Sequence, residues 1–198
     1  MHYFITGGAG FIGSHLTERL LKEGHEVTII DDFNDYYDPA IKRANIESIK
    51  DQINLIEGDI RDAILIERSF AKGNFDHVIH IAARAGVRPS IVDPKLYFTT
   101  NIDGTFNLLD ACRYHKVLRF TFASSSSVYG INKKVPFAES DPIKRTISPY
   151  AATKLAGEQI CSNYAHLFGI RCQCLRFFTV YGPRQRPDLA ISKFAKKL

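Results

Sequence analysis

A glycine-rich turn near the start of the chain constrains the fold more than any other feature of the sequence. Residues 3–6 have the aromatic and β-branched composition of a strand, and the turn joins them to a helical pattern at residues 14–23. The glycines of the turn are Gly7, Gly8, Gly10 and Gly13. At this spacing, glycines let the chain reverse tightly and let its backbone approach a pyrophosphate at the N-terminus of the following helix. The motif therefore predicts a strand-turn-helix unit that binds a nucleotide.

The rest of the chain repeats this alternation of strands and helices. Strands are predicted at residues 3–6, 27–30, 54–57, 77–82, 119–123 and 172–177, and helices near residues 14–23, 62–70, 96–114 and 149–168. Strands separated by helices need crossover connections, so the pattern predicts an α/β fold with a Rossmann-type, doubly wound parallel sheet. Residues 181–198 differ, because Gly182, Pro183 and Pro187 interrupt them and a helix only begins before residue 198. We therefore expect that the chain is truncated at this end.

Acidic residues follow two of the predicted strands. Asp31 ends the second strand at the spacing expected after a dinucleotide-binding turn. A carboxylate there accepts hydrogen bonds from the adenosine ribose and repels a 2′-phosphate, which predicts NAD rather than NADP. Asp59 and Ile60 follow the third strand and residues 80–83 end the fourth, where ligands of doubly wound sheets bind. Asp59 is equally well interpreted as a helix cap.

Tyr150 and Lys154 are four residues apart, on one face of a helix that Pro149 helps to start. This pairing suits proton transfer, because a phenol with a pKa of ~10 must be brought closer to neutrality to act as a base. Lowering that pKa by about three units takes roughly 4 kcal/mol. A lysine charge ~5 Å away at an effective dielectric constant of ~20 supplies on the order of 3 kcal/mol. We therefore expect Lys154, together with oxidised NAD, to lower the pKa of Tyr150.

A run of four serines, residues 124–127, follows the fifth predicted strand. Its hydroxyls stand at a carboxyl end of the sheet, beside the expected cofactor. The same run could instead be a polar turn that caps its own backbone. Together with Tyr150 and Lys154, the serines predict a site of hydride transfer.

The composition of the chain argues against nucleic acid, metal ions and membranes as binding partners. The chain has 26 basic and 21 acidic residues, but the basic residues are scattered, so we do not expect nucleic-acid binding. The four cysteines form no C-x-x-C pair, which predicts reduced core residues rather than a zinc site. No apolar run approaches the ~20 residues of a membrane span, and no signal peptide precedes the first strand. We therefore expect no metal, no membrane contact and a cytoplasmic location.

These motifs resemble the extended short-chain dehydrogenases/reductases, and among them the UDP-glucuronate 4-epimerases. The resemblance covers nearly the whole chain and is carried by residues 6–16, 31–46, 80–90, 124–130, 150–154 and 175–188. It implies that Ser125, Tyr150 and Lys154 form a catalytic triad. The positions that match NAD contacts are Gly7, Gly10, Phe11, Ile12, Gly13, Asp31, Asp32, Asp59, Ile60, Ala82, Asn101, Tyr150, Lys154 and Phe178.

The resemblance implies a redox-neutral reaction on a UDP-sugar. Tyr150 removes the proton of the sugar 4-hydroxyl while C4 passes a hydride to NAD, and Ser125 is hydrogen-bonded to O4. The 4-keto sugar turns over and the hydride returns to its other face. Related 4,6-dehydratases carry an acidic pair where Ser126 and Ser127 stand here, and the decarboxylases carry a glutamate that is missing. Epimerisation needs no such acid.

Substrate choice within the epimerases depends on fewer positions. Thr179 stands where the enzymes for neutral sugars have an asparagine, which favours UDP-glucuronate over UDP-glucose. A uronate carboxylate also needs a cation, for which Arg88, Arg184 and Arg186 are candidates. Each arginine could instead be a surface residue or a diphosphate contact. The predicted substrate contacts are Arg88, Ser125, Thr179 and Arg186.

Two other classes of function stay open. An NAD-binding protein without catalysis would keep the fold, although its triad would be expected to lose a member. A carbonyl reductase would consume external cofactor, whereas an epimerase consumes none. By the resemblance, residues 1–180 form the NAD-binding domain and residues 181–198 begin a truncated substrate domain. A homodimer is implied through the helices at residues 96–114 and 149–168.

Overall fold

The computed structural model describes residues 1–195, which form one six-stranded parallel sheet in the order β3-β2-β1-β4-β5-β6. The strands are β1 (His2–Thr6), β2 (Glu26–Asp31), β3 (Asn54–Glu57), β4 (His77–His80), β5 (Arg119–Ser125) and β6 (Arg171–Phe177). The order reverses between β1 and β4, so a crevice opens there at the carboxyl ends of the strands. The predicted Rossmann-type sheet is confirmed.

Eight α-helices connect and cover the strands within the described residues. They are α1 (Phe11–Lys22), α2 (Pro39–Ile46), α3 (Ala63–Lys72), α4 (Val87–Val92), α5 (Pro94–Phe98), α6 (Gly104–Tyr114), α7 (Pro149–Phe168) and α8 (Ala190–Ala195). Short 3-10 helices follow α2 at Glu47–Gln52 and follow β5 at Ser126–Tyr129. None of the helices described here has both the length and the apolar composition needed to cross a membrane.

Side chains of alternating direction build a separate core on each face of the sheet. In β1, Phe4 joins the cluster that packs under α3, α6 and α7, whereas Ile5 joins the cluster under α1 and α2. Both side chains are completely buried. The sheet is therefore covered on both faces, as the crossover pattern predicts.

The structure differs from the sequence predictions at several boundaries. β4 ends at His80, two residues early, because the chain then turns away into the crevice. The helix predicted for residues 96–114 begins at Pro94 and is interrupted by a π-helical turn at Thr99–Asp103. The sequence analysis missed α2 and α4, which are short and poor in apolar residues that repeat at helical spacing.

The cysteines are free thiols, but they are not all core residues. Cys112 and Cys161 are buried, whereas Cys172 is half-buried and Cys174 is exposed. Both exceptions lie on β6, which is an edge strand in the part of the chain described. Among residues 1–195, no group of three or more histidines, cysteines or acidic residues is arranged to hold a metal ion.

A buried histidine ties the crevice ends of the central strands together. His80 Nδ1 lies 2.7 Å from Thr6 Oγ1, and His80 Nε2 lies 2.9 Å from Thr105 Oγ1. Thr6 Oγ1 accepts the N–H of Ala82, and the Thr105 hydroxyl donates to the carbonyl of Asn101. Thr105 has given its only proton to Asn101, so Nε2–H must donate to Thr105. With the ring neutral, the Thr6 hydroxyl donates to Nδ1. Burial lowers the pKa of His80 to about 3.

We expect His80 to make the protein sensitive to acid. Its pKa lies below the usual value of 6.5, so only the unfolded chain binds a proton between pH 6.5 and about 3. The free energy of unfolding should therefore fall below pH 6.5 by roughly 1 kcal/mol per pH unit from this residue. His80→Gln should be less stable at pH 7 but lose less stability on going to pH 4. Urea titrations at several pH values measure this, with exposed His166→Gln as the control. Equal slopes for His80→Gln and the unaltered protein would contradict the assignment.

Candidate active site

The glycine turn forms a backbone cradle at the start of α1. Gly7 has φ of +70°, in the left-handed region that favours glycine. A Cβ at Gly13 would overlap the carbonyl oxygen of Gly7, so the first turn of α1 packs directly on the turn backbone. No acidic residue lies in that first turn and no side chain caps it. Its free N–H groups and the helix dipole therefore suit an anion such as a pyrophosphate.

The cradle opens into a cavity of about 510 Å³, which we call the crevice. Most of the predicted site residues line it. They are Gly7, Gly10, Phe11, Ile12, Gly13, Asp31, Asp32, Asp59, Ile60, Ala82, Ser125, Tyr150, Lys154, Phe178, Thr179 and Arg186. The volume is in the range of ~300–1,000 Å³ that is typical of small-molecule sites.

Asp31 is paired with a lysine that the sequence analysis missed. Lys42 Nζ donates to Asp31 Oδ1 at 2.9 Å and lies 3.6 Å from Asp32 Oδ1. Both members of the main pair are almost fully buried, and Lys42 lines the crevice as well. Lys42 is on α2, a helix that was not predicted, so no local pattern pointed to this lysine. The pair fixes the direction of the Asp31 carboxylate at the end of β2.

Asp59 is a crevice residue rather than a helix cap. The N-cap of α3 is Asp62, whose carboxylate accepts from Leu65 N, while Asp59 accepts from the backbone and side chain of Arg61. Burial acts to raise the pKa of Asp59, but the hydrogen bonds from Arg61 outweigh it and hold that pKa below its usual range. Asp59 therefore presents a charged carboxylate to the crevice.

Ser125, Tyr150 and Lys154 meet at the carboxyl end of β5. Ser125 ends that strand, and its hydroxyl accepts the N–H of Ser127, so it also caps the short 3-10 helix as the alternative interpretation proposed. Tyr150 is in the first turn of α7, which begins at Pro149 and is capped by Ser148. One turn later, Lys154 Nζ donates to the carbonyl oxygen of Ala123 at 2.7 Å. The helix thus brings a phenol and an ammonium group to the serine run.

Lys154 together with oxidised NAD was expected to lower the pKa of Tyr150, whereas in the protein chain alone that pKa is raised. Burial raises the pKa of the Tyr150 phenol above 10, whereas the Ser125 hydroxyl and the charge of Arg186 lower it. Lys154 is not among these causes. Its ammonium group donates to the carbonyl of Ala123. Burial lowers the pKa of Lys154 itself to about 8. The groups that lower the pKa of Tyr150 are therefore a serine at the end of β5 and an arginine from beyond β6.

The structure brings some predicted substrate residues to the crevice and leaves others outside. Thr179 and Arg186 line it, and Arg186 also pairs with Asp188 at 3.0 Å. Arg88 is exposed on α4 and lies outside the lining. Arg184 points to α1 instead, where it binds Glu18 at 2.6 Å. Of the three candidate arginines, Arg186 alone therefore lines the crevice together with Ser125, Tyr150 and Lys154.

Asn101 lies behind the crevice wall, in the π-helical turn. Its side chain is buried, accepts the N–H of Arg84 at 2.8 Å and donates to the carbonyl of Arg84 at 3.0 Å. It also donates to Thr153 on α7 at 3.0 Å. Asn101 therefore holds the loop after β4 against α7, and it does not face the space where a ligand would lie.

The residues present fit a dinucleotide. The turn backbone would be obstructed by a Cβ, the helix N-terminus is free of acidic residues, and a fixed carboxylate ends β2. The fold and the site together define a dinucleotide-binding protein with a serine, tyrosine and lysine site of the short-chain dehydrogenase type. The family model described as the NAD dependent epimerase/dehydratase family matches residues 3–198, and the chain belongs to that family.

Relatives and solved structures agree with this assignment. UDP-glucuronate 4-epimerase 1 of Arabidopsis thaliana is 46% identical over 98% of this chain and 46% of its own length. The crystal structure of UDP-glucuronic acid 4-epimerase from Bacillus cereus, in complex with UDP-glucuronic acid and NAD, is 40% identical with a TM-score of 0.91. UDP-glucose 4-epimerase of Thermus thermophilus, in complex with NAD, is 38% identical with a TM-score of 0.88. The chain covers 100% and 99% of itself in these two matches but only 62% and 61% of the solved chains.

We expect Gly13→Ala to destabilise the protein although alanine favours helices. The added Cβ overlaps the backbone of Gly7, which cannot rotate away, so the free energy of unfolding should fall by about 2–3 kcal/mol. Gly24→Ala is the control, since a Cβ there meets open space and φ is +77°. It should lose only the ~1 kcal/mol that a left-handed backbone costs. Chemical denaturation compares the two variants, and equal losses would show that the cradle is not closely packed.

Proposed function

We propose that the protein is a nucleotide-sugar 4-epimerase that uses tightly bound NAD and acts on UDP-glucuronate, giving UDP-galacturonate. The observation that carries the proposal is the meeting of Ser125, Tyr150 and Lys154 beside a glycine cradle in one crevice. Members of the same family that are named for this reaction support it, because they match the chain over nearly all of its length.

The cradle of Gly7, Gly10 and Gly13 would hold the pyrophosphate of NAD, and Asp31 would bind its adenosine ribose. Bound NAD supplies a hydride acceptor that takes hydrogen from the sugar C4 and returns it. Phe178, which is 60% exposed at the crevice, offers an aromatic face for the other end of the dinucleotide. Every other part of the chemistry belongs to side chains of this chain.

Tyr150 is the base that takes the proton of the sugar 4-hydroxyl and gives it back after the keto sugar has turned. Ser125 hydrogen-bonds the sugar O4 and lowers the pKa of Tyr150. With a pKa of about 8, Lys154 is mainly protonated at neutral pH, and it fixes α7 against β5.

UDP-glucuronate is the preferred substrate because of Arg186. Its guanidinium lines the crevice near the Tyr150 phenol and can form a charge-assisted pair with a uronate carboxylate. Thr179 adds a hydroxyl in the same wall. UDP-glucose is the second candidate, favoured by the match to the Thermus thermophilus enzyme. Dehydration is disfavoured, because Ser126 and Ser127 line the crevice where an acid would be needed.

We further propose that residues 1–180 are the cofactor domain and that residues from 181 begin a substrate domain. Apolar side chains are exposed around this point, with Leu175 at 43%, Phe178 at 60% and Tyr181 at 72%. Such exposure suits a surface that another part of a longer chain covers. The solved relatives, of which the chain spans about three fifths, support this division.

We also propose a homodimer. Phe106 on α6 and Leu167 on α7 are 48% and 65% exposed, and the two helices pack side by side, which suits a contact between the same two helices of a second copy.

We propose a cytoplasmic location as well. All four cysteines are free thiols, which is the state expected in the cytoplasm.

Asp31 and Lys42 should together set the choice of cofactor. We expect the unaltered protein to bind NAD more tightly than NADP, because Asp31 repels a 2′-phosphate. In Asp31→Ala, Lys42 becomes an unpaired cation beside the ribose, so the preference for NAD should shrink at least about tenfold, or ~1.4 kcal/mol. Calorimetric titration with both cofactors measures the ratio. Asp35→Asn, an exposed carboxylate of the same loop, is the control. Equal affinities in the unaltered protein would refute the role of Asp31.

The proposed activity is tested by comparing the 198-residue chain with the protein encoded by the complete reading frame. Both should retain NAD, measured by mass spectrometry, because the cradle and triad are present in both. Only the longer protein should convert UDP-glucuronate, since uridine and diphosphate contacts orient the sugar and are worth roughly 7 kcal/mol or more of barrier. NMR of the sugar protons follows the conversion.

Tyr150→Phe in the longer protein is the matched control. It removes the base with little change in volume, so NAD should stay bound while conversion is lost. Comparable turnover by both lengths of chain would show that no further domain is needed. Conversion of UDP-glucose but not UDP-glucuronate would contradict the proposed substrate.

A further inference from the structure

A buried ion pair lies directly behind the catalytic serine. Glu158 is on α7, one turn after Lys154, and its side chain is 10% exposed. It accepts hydrogen bonds from Ser124 Oγ at 2.5 Å, from Arg176 Nε at 3.0 Å and from Arg176 Nη2 at 2.8 Å. Arg176 is the β6 residue that pairs with Ser124 in the sheet register. One carboxylate therefore joins α7, β5 and β6 at the position that precedes Ser125.

A contribution to the stability of the fold does not readily explain this buried ion pair. Burying two charges carries a desolvation cost that the attraction between them often only offsets, and apolar residues of similar size commonly serve as well. Here the carboxylate has a second partner, the Ser124 hydroxyl, which ties the pair to the end of β5 as well as to β6. Successive strand residues face opposite sides of the sheet, so holding the Ser124 side chain against Glu158 also sets the side-chain direction of its neighbour Ser125. Both serines line the crevice.

The same arginine connects to the cofactor side of the crevice through stacked rings. Its guanidinium lies 5.0 Å from the ring centroid of Tyr129. Tyr129 stacks on Phe137, with centroids 4.6 Å apart and an angle of 17°, and Phe137 is stacked with Phe178 at 6.2 Å. Phe178 lines the crevice. The pair thus supports both Ser125 and one wall of the crevice.

We propose that Glu158 and Arg176 are positioning residues that set the direction of the Ser125 hydroxyl towards Tyr150. The inference rests on the proposed function for its catalytic consequence. Neither residue lines the crevice, so the pair acts through the residues that it holds, at the end of β5 and in the wall that contains Phe178. Because the Ser125 hydroxyl lowers the pKa of Tyr150, loosening the pair should raise that pKa.

The test uses Ser124→Ala and Glu158→Gln in the protein encoded by the complete reading frame. Ser124→Ala removes the hydroxyl that donates to Glu158, but Ser124 also lines the crevice. Glu158→Gln removes the charge of a residue outside the crevice while keeping its shape, so agreement between the two variants identifies the contact as the cause. We expect kcat to fall about tenfold to a hundredfold, as small misplacements of reacting groups do, with KM and bound NAD nearly unchanged. The acidic limb of the kcat profile should move to higher pH. The double variant should be little worse than Glu158→Gln, since both changes break one contact.

A second readout does not depend on turnover. Ultraviolet difference titration of each variant against the same variant with Tyr150→Phe isolates the Tyr150 phenol, whose pKa should rise in Ser124→Ala and in Glu158→Gln. Glu67→Gln is the control, because Glu67 forms an exposed pair with His115 at 2.8 Å on α3, away from the crevice.

The outcomes separate the two proposals. An unchanged Tyr150 titration and an unchanged kcat profile in folded Ser124→Ala overturn the positioning role, even if Glu158→Gln lowers stability. If the unaltered protein shows no epimerisation, the proposed function is contradicted, while the titration still decides whether the pair positions Ser125.

Discussion

The hydrogen bond from Lys154 to the carbonyl of Ala123 is the interaction on which the site depends. A buried ammonium group is costly unless it is bonded, and here its partner is the carbonyl of Ala123, two residues before Ser125 in β5. This bond fixes the face of α7 that carries Tyr150 against the carboxyl end of the sheet. Burial lowers the pKa of Lys154 to about 8, which leaves it mainly charged at neutral pH. The geometry of the phenol and the serine follows from this one contact.

The parallel sheet brings the residues of the site to one edge. Because all six strands run the same way, the ends of β1, β2 and β5 open on one edge, where the order of strands reverses. The glycine cradle, Asp31 and Ser125 therefore face one crevice although they are far apart in the sequence. The two core clusters hold this edge rigid from both faces of the sheet. The crevice thus has two ends. Ser125, Tyr150 and Lys154 lie at the end of β5, and the Asp31 carboxylate lies at the end of β2.

Local sequence patterns predicted the parts of the site that depend on local structure. The glycine turn, Asp31 at a strand end and the shared helical face of Tyr150 and Lys154 each follow from spacing alone. Lys42 was missed because its helix follows a polar loop and has little apolar periodicity. The direction of Lys154 could not be predicted, since its partner is a backbone carbonyl 31 residues away. The Glu158–Arg176 pair likewise joins a helix to the next strand, which only packing brings together.

The central claim is that the crevice oxidises and reduces one carbon of the substrate without exchange of its hydrogen with water. The most direct measurement uses UDP-glucuronate labelled with deuterium at C4, incubated in ordinary water with the protein encoded by the complete reading frame. Proton and deuterium NMR of the UDP-galacturonate formed then report the isotope at C4. Retention of deuterium at C4 is the predicted result. Replacement of that deuterium by solvent hydrogen would contradict the account.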